Sequence, residues 1–144
     1  MKSTIAIATV LVAGVIGYAM WPTTAQTTGT STTTSLVGDA LATVTLPETL
    51  SQNAQIGKIG FEAKCAACHG VNGSGQAGVA PPLVHIIYET GHHGDESFQR
   101  AAALGVRAHH WSFGDMPAVD GVTPADVTMI TTYIRELQRA NGIN

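Results

Sequence analysis

Apolar and polar positions fall into distinct regimes along the chain. Ile5 to Trp21 (IAIATVLVAGVIGYAMW) is an apolar run of 17 residues without a charge. As a helix rising ~1.5 Å per residue, it nearly spans a ~30 Å hydrocarbon core. Tyr18 and Trp21 close it, where interfacial aromatics sit. Pro22 to Ser35 (PTTAQTTGTSTTTS) follows, with 8 Thr and 2 Ser in 14 residues. Such a tract cannot bury enough surface to offset chain entropy and is expected to be a flexible tether. Leu36 to Leu46 reads either as its continuation or as a short strand-like arm.

The rest of the chain carries helical periods. Val127, Ile130, Ile134 and Leu137 recur at steps of three and four, one apolar helix face. Thr123-Pro124-Ala125-Asp126 supplies an N-cap, a proline at N1 and an acid at N3. Asn141-Gly142 ends the helix, and Arg135 and Arg139 fall where they suit its dipole. A second helix is expected from Ser51 to Ala67. There Gly57 and Phe61 lie four apart on one face, the small residue permitting a close crossing. A shorter helix is expected from Asp95 to Gly105, around Phe98, Ala102 and Leu104. The division is thus 1–21 signal peptide or membrane anchor, 22–46 Thr-rich flexible linker, and 47–144 an all-α domain.

Two readings of the apolar run compete. It is a cleaved signal peptide, with Thr23-Thr24-Ala25 as the cleavage box, or an uncleaved anchor. Both place the remainder outside the cytoplasm. Composition supports a membrane segment, an apolar cofactor, or both. Charged residues make up 12% of the 144-residue chain, about half the ~25% of an ordinary soluble domain. Mean hydropathy is +0.17. Residues 1–46 hold only Lys2 and Asp39, so the C-terminal 98 residues carry 15 charges and are less depleted than the whole. With 7 Lys+Arg against 10 Asp+Glu and a net charge of −3, no basic excess exists to hold nucleic acid. Two cysteines build neither a disulfide scaffold nor a four-cysteine zinc site.

Their position matters more than their number. Cys65-Ala66-Ala67-Cys68-His69 is C-x-x-C-H, the pattern of c-type haem attachment. Two intervening residues let a short helical turn present both thiols to the vinyl groups on one macrocycle edge. The adjacent imidazole then faces the iron. A thioredoxin-like redox pair would need a βαβ setting, which the pattern lacks. The expected cofactor is therefore one covalently attached haem c, with Cys65 and Cys68 as thioether anchors and His69 as proximal iron ligand.

For the sixth iron position, Met116 lies in Phe113-Gly114-Asp115-Met116-Pro117, a loop by its Gly and Pro content. Met129 falls within the helical pattern and reads as core or as haem packing. Met116 is the expected ligand, and a thioether there favours ferrous iron relative to a second imidazole. A histidine is the alternative.

From about Leu46 to its end the chain resembles a class I cytochrome c. The matching parts are Gly57 and Phe61, CAACH at 65–69, Ala80-Pro81-Pro82-Leu83, Met116-Pro117 and Tyr133. The resemblance implies a small all-α fold wrapped around the haem, with Gly57 and Phe61 packing against Tyr133. It also implies that the Pro81 carbonyl accepts the ring N–H of His69, fixing its orientation and basicity, and that Leu83 packs on the haem.

Two features depart from that family. All six histidines lie between residues 69 and 110. His85, His92, His93, His109 and His110 are open to three readings. They bond to propionates and carbonyls together with Arg107 and Trp111, they bind a second metal such as copper or zinc, or they confer pH sensitivity. Adjacent histidines on a helix point about 100° apart, so each pair is expected to offer one ligand. The second departure is that Lys58 and Lys64 are the only lysines beyond Lys2. Docking would then rely little on cationic steering and use apolar residues at the haem edge in a short-lived encounter.

The function expected is one-electron transfer without substrate chemistry, between unidentified donor and acceptor proteins. The setting is the periplasm, with the domain tethered to the inner membrane through residues 5–21 where these are uncleaved. Competing readings are a histidine-rich cytochrome that handles copper or senses redox state, a peroxidase-like enzyme lacking a Met116–iron bond, and a subunit of a larger respiratory complex.

Overall fold

The computed structural model describes residues 38–144. The apolar run at 5–21 and the Thr-rich tract lie outside the described residues. Among the described residues no helix is long and apolar enough to cross a membrane.

Four α-helices make up the domain: α1 (Gln52–Lys64), α2 (Ala66–His69), α3 (Asp95–Leu104) and α4 (Pro124–Ala140). Two single turns of 3-10 helix, Val71–Gly73 and Ile86–Tyr88, lie between them. The only β-type pairings among the described residues are the isolated bridges Gln76–Ala80 and Val106–Met116. The all-α expectation holds for these residues.

Helix α4 begins where the sequence places it. The Thr123 hydroxyl accepts from the Asp126 N–H at 3.2 Å, and Asp126 Oδ2 accepts from the Thr123 N–H at 2.8 Å. This reciprocal capping satisfies donors that the first turn leaves open. Val127, Ile130, Ile134 and Leu137 are all buried. Helix α1 starts at Ser51, whose hydroxyl accepts from the Ala54 N–H.

The two helices cross at Gly57. A Cβ there would lie 1.8 Å from the Met129 carbonyl oxygen, so only glycine allows this approach. Four residues on, the Phe61 and Tyr133 rings meet with centroids 5.7 Å apart, inclined at 56°. Phe61, Tyr133, Ile134 and Leu137 are almost wholly enclosed and, with Ala54, Val84 and Ile130, form the core. Each such large side chain contributes roughly 1.5–3 kcal/mol of burial.

Three expectations need correction. The helix expected to run unbroken from Ser51 to Ala67 stops at Lys64. Cys65, at φ −117° and ψ −34°, kinks the path while its N–H still donates to the Phe61 carbonyl and its carbonyl accepts from His69, and α2 begins after it. At the end of α2 the Gly70 N–H donates to the Ala66 carbonyl at 3.0 Å, and the Gln76 side chain supplies the Ala67 carbonyl at 2.8 Å, so that group needs no further helical turn.

Residues 38–46, drawn within the flexible linker, lie along the domain. The N–H groups of Gly38, Leu41 and Ala42 donate to the carbonyls of Ala77 and Ser74. Asn141 clasps both backbone groups of Thr45, at 2.9 and 2.8 Å. Its side chain supplies in one place the pairing an extended arm otherwise finds in a sheet.

Arg135, assigned to the helix dipole, is buried instead. Its guanidinium donates to Asp95 Oδ1 at 2.9 Å, to Gln138 Oε1 at 2.7 Å, and to the carbonyls of Tyr88 and His93 at 2.5 Å each. It also lies 5.0 Å from the Phe98 ring centroid. One side chain thereby ties α3 and the 85–94 segment to α4.

Candidate haem site

The site is built from the turn that follows α2. Gly70, at φ +73°, ends that helix, and Gly73 and Gly75 also take positive φ. The resulting loop lies against Pro81-Pro82. A Cβ on Gly75 would meet the Pro82 nitrogen at 2.5 Å. Leu83 donates its N–H to the Gly73 carbonyl at 2.8 Å, and Gly75 donates to the His69 carbonyl at 2.7 Å. Asn72, at φ 56°, accepts the Tyr133 hydroxyl at 2.8 Å. Asparagine tolerates this left-handed conformation better than most residues.

These bonds bring the Pro81 carbonyl within 2.9 Å of His69 Nδ1. A carbonyl only accepts, so the proton resides on Nδ1 and the Nε2 lone pair is left for a metal. His69 is 9% exposed. Its burial lowers the imidazole pKa, and the bond to Pro81 opposes this in part. A neutral imidazole in fixed orientation is what an iron ligand requires.

The two cysteines are unpaired with one another, Cys65 half-buried and Cys68 exposed. Burial, with a further contribution from Cys68, pushes the Cys65 thiol up to about 11. A protonated thiol keeps the S–H that adds across a vinyl double bond.

Pro81, Leu83 and the C-x-x-C-H motif thus form one bonded unit. Gln138, 1% exposed, holds it from α4 by donating to the Leu83 carbonyl at 2.8 Å.

Met116 belongs to a second unit. Its N–H and carbonyl pair with those of Val106, both at 2.9 Å, closing a loop between the two. Asp115 bonds across that loop to the Ala108 N–H at 2.8 Å. Gly105, at φ +73°, makes the pairing possible, since a Cβ there would lie 2.4 Å from the Met116 carbonyl oxygen. Met116 is half-buried, as is Met129 on α4.

Within this loop Trp111 stacks on Phe113 and meets His85 edge-on. Trp111 lies near Tyr88, yet its buried indole nitrogen has no partner in hydrogen-bonding geometry. A buried donor left alone is costly. A propionate of the haem is the kind of acceptor that would satisfy it, whereas Arg107, His109 and His110, the other donors considered, are exposed.

The histidines divide in a way that the sequence did not indicate. His85 stands apart, its Nδ1 accepting from the Ile87 N–H at 3.3 Å. His92 and His93 lie on a turn rather than a helix, so both point the same way, toward His110. His110 is held below the ordinary imidazole pKa, first by partial desolvation and then by repulsion from His109, His93 and His92.

Asn72, Gln76, Arg135 and Gln138 were missed as supporting residues. A signal existed for the last two. Arg135 and Gln138 sit three apart beside the apolar stripe of α4, where a polar pair requires buried partners.

A family model described as Cytochrome c matches residues 54–138. No curated protein and no solved structure matches the chain.

Proposed function

The chain belongs to the cytochrome c family and carries one covalently bound haem c, and from this premise we propose that it is a one-electron carrier rather than an enzyme. The bound haem supplies a reversible one-electron iron couple. His69, oriented by Pro81, would hold the iron, and Cys65 and Cys68 would be the thioether anchors. Met116, on the loop that pairs with Val106, would be the second protein ligand of the iron. Leu83 would pack on the haem and help to keep water from the iron, where a lower dielectric strengthens the effect of its charge change. The carrier works in the periplasm between donor and acceptor proteins, with residues 5–21 as its tether where they are retained.

The observation that carries this reading is the 2.9 Å bond between His69 and the Pro81 carbonyl, in a motif that leaves the second nitrogen for iron. The test is a potentiometric titration of the holo-protein. One reversible one-electron wave is expected. Met116→His should lower its midpoint, within the ~0.8 V range that axial ligands span, while Met129→Leu should leave it nearly unchanged. A midpoint insensitive to Met116 and shifted by Met129 would remove Met116 from the role. Intact mass of the membrane-extracted protein decides whether residues 1–25 are retained.

A further inference from the structure

His92, His93 and His110 come together outside the haem site. One ring nitrogen from each lies within 4.8 Å of the others. His92 and His93 are carried on the turn before α3, and His110 on the loop that Met116 closes. Their ring centroids are 4.6 Å apart for His92–His93 and 5.2 Å for each of the other two pairs.

The arrangement differs from a stack. His92 Nε2 and His110 Nε2 approach head to head at 3.3 Å. Two imidazole nitrogens on a tetrahedral zinc ion, each bonded at ~2.0–2.1 Å, would stand about 3.3–3.4 Å apart. Two cis ligands of a square-planar ion at a similar bond length would stand closer, at about 2.8 Å. The third residue is prepared as well. His93 Nδ1 lies 2.6 Å from the Ile87 carbonyl oxygen, so its proton is committed there and Nε2 bears the lone pair. His109 is turned differently. Its Nδ1 is bonded to the Arg107 carbonyl at 2.8 Å, and although its ring lies 4.3 Å from that of His110, it does not join the three whose ring nitrogens converge.

We infer that His92, His93 and His110 form a surface site for a tetrahedrally coordinated divalent cation of the zinc type, with a fourth position open to water. Occupancy would join the turn before α3 to the loop ending at Met116. The site stands on its own ligands and does not depend on the assignment of Met116.

The experiment is calorimetric titration of the full-length holo-protein with Zn2+ alone, and separately with Cu2+. One Zn2+ per chain is expected. Co2+, used as a zinc surrogate, should give the intense visible bands of a tetrahedral centre. His92→Ala and His110→Ala should each weaken Zn2+ binding by at least roughly 100-fold, the upper end of what even an outer partner of a metal ligand is worth. His85→Ala should leave it unchanged. His92 and His110 are exposed, and an unaltered haem absorption spectrum verifies the fold of each variant. No stoichiometric Zn2+ binding by the wild type overturns the site. So does binding that survives His110→Ala but is lost in His109→Ala or His85→Ala. Strong Cu2+ binding without Zn2+ binding overturns the tetrahedral assignment.

Discussion

Gly57 on α1 faces the Met129 carbonyl on α4 without room for one more carbon: a Cβ would lie 1.8 Å from that oxygen and 2.9 Å from the Ile130 nitrogen. Both obstructing atoms are helix backbone, so neither can turn aside. Gly57→Ala must therefore push the helices apart and loosen the Phe61–Tyr133 contact. Overpacking costs about 1–3 kcal/mol where side chains can adjust, and the cost here lies at or beyond the upper end. The ~1 kcal/mol gain in helix propensity offsets only part. Gly60 is the control, since its Cβ would meet the flexible tip of Ile130 at 3.2–3.3 Å. Denaturant titration of the holo-proteins should show Gly57→Ala destabilised by at least ~2 kcal/mol and Gly60→Ala within ~1 kcal/mol of wild type. Equal midpoints for the two variants would contradict the crossing.

Arg135 acts through its uncharged partners more than through its ion pair. Asp95 is 67% exposed at the side chain, and an ion pair so open to solvent is worth little. The His93 carbonyl and the Gln138 amide oxygen rely on the guanidinium, while the Tyr88 carbonyl also accepts from Gln138 Nε2 at 3.2 Å. Arg135→Met keeps much of the volume and strands the His93 and Gln138 acceptors, at a cost on the order of 3 kcal/mol. Asp95→Asn should cost less than ~1 kcal/mol. Thermal unfolding of the two variants checks this ordering. Reversed magnitudes would show that the ion pair dominates.

What the sequence makes legible here is local. The capping of α4 and its apolar stripe follow from spacings within four residues, and the C-x-x-C-H chemistry from five consecutive positions. Interactions spanning long separations were not legible. Arg135 reads as an ordinary C-terminal arginine until Tyr88, His93 and Asp95 surround it. The extended arm at 38–46 has no periodicity of its own, because its partners are Ser74, Ala77 and Asn141. The histidine pairs show the same limit. Helical spacing would splay His92 from His93, and only the turn that carries them makes them converge.

Asp126 links the start of α4 to pH. Its carboxylate accepts the backbone N–H and the hydroxyl of Thr123, and these bonds hold its pKa below the ordinary 3.8. A carboxylate whose folded value is depressed contributes stability that is fully present above the unfolded value. The contribution is lost as pH falls through the folded one. Asp126→Asn should thus lower the melting temperature at neutral pH, and its deficit should shrink once the pH passes below ~3.8. Thr123→Ala removes the reciprocal bond and should also be destabilising. A deficit for Asp126→Asn that stays constant into acid would rule out the carboxylate as its source.

Gly105 connects backbone geometry to the proposed iron ligand. At φ +73° and ψ −176° it occupies a region essentially reserved for glycine. A side chain there would also strike the Met116 carbonyl at 2.4 Å and the Ala118 nitrogen at 3.1 Å. Gly105→Ala therefore carries strain of about 1–3 kcal/mol and displaces the segment that pairs with Val106. Gly114, at φ +92° with nothing within 4 Å of its Cβ direction, supplies the comparison, because alanine there is strained but strikes nothing. Gly105→Ala should weaken the Met116–iron bond, lowering the reduction potential and increasing the high-spin ferric absorption. Gly114→Ala should lose stability with little change in potential. Identical potentials for Gly105→Ala and wild type, in holo-protein that retains its haem, would mean that the Val106–Met116 pairing does not position the thioether.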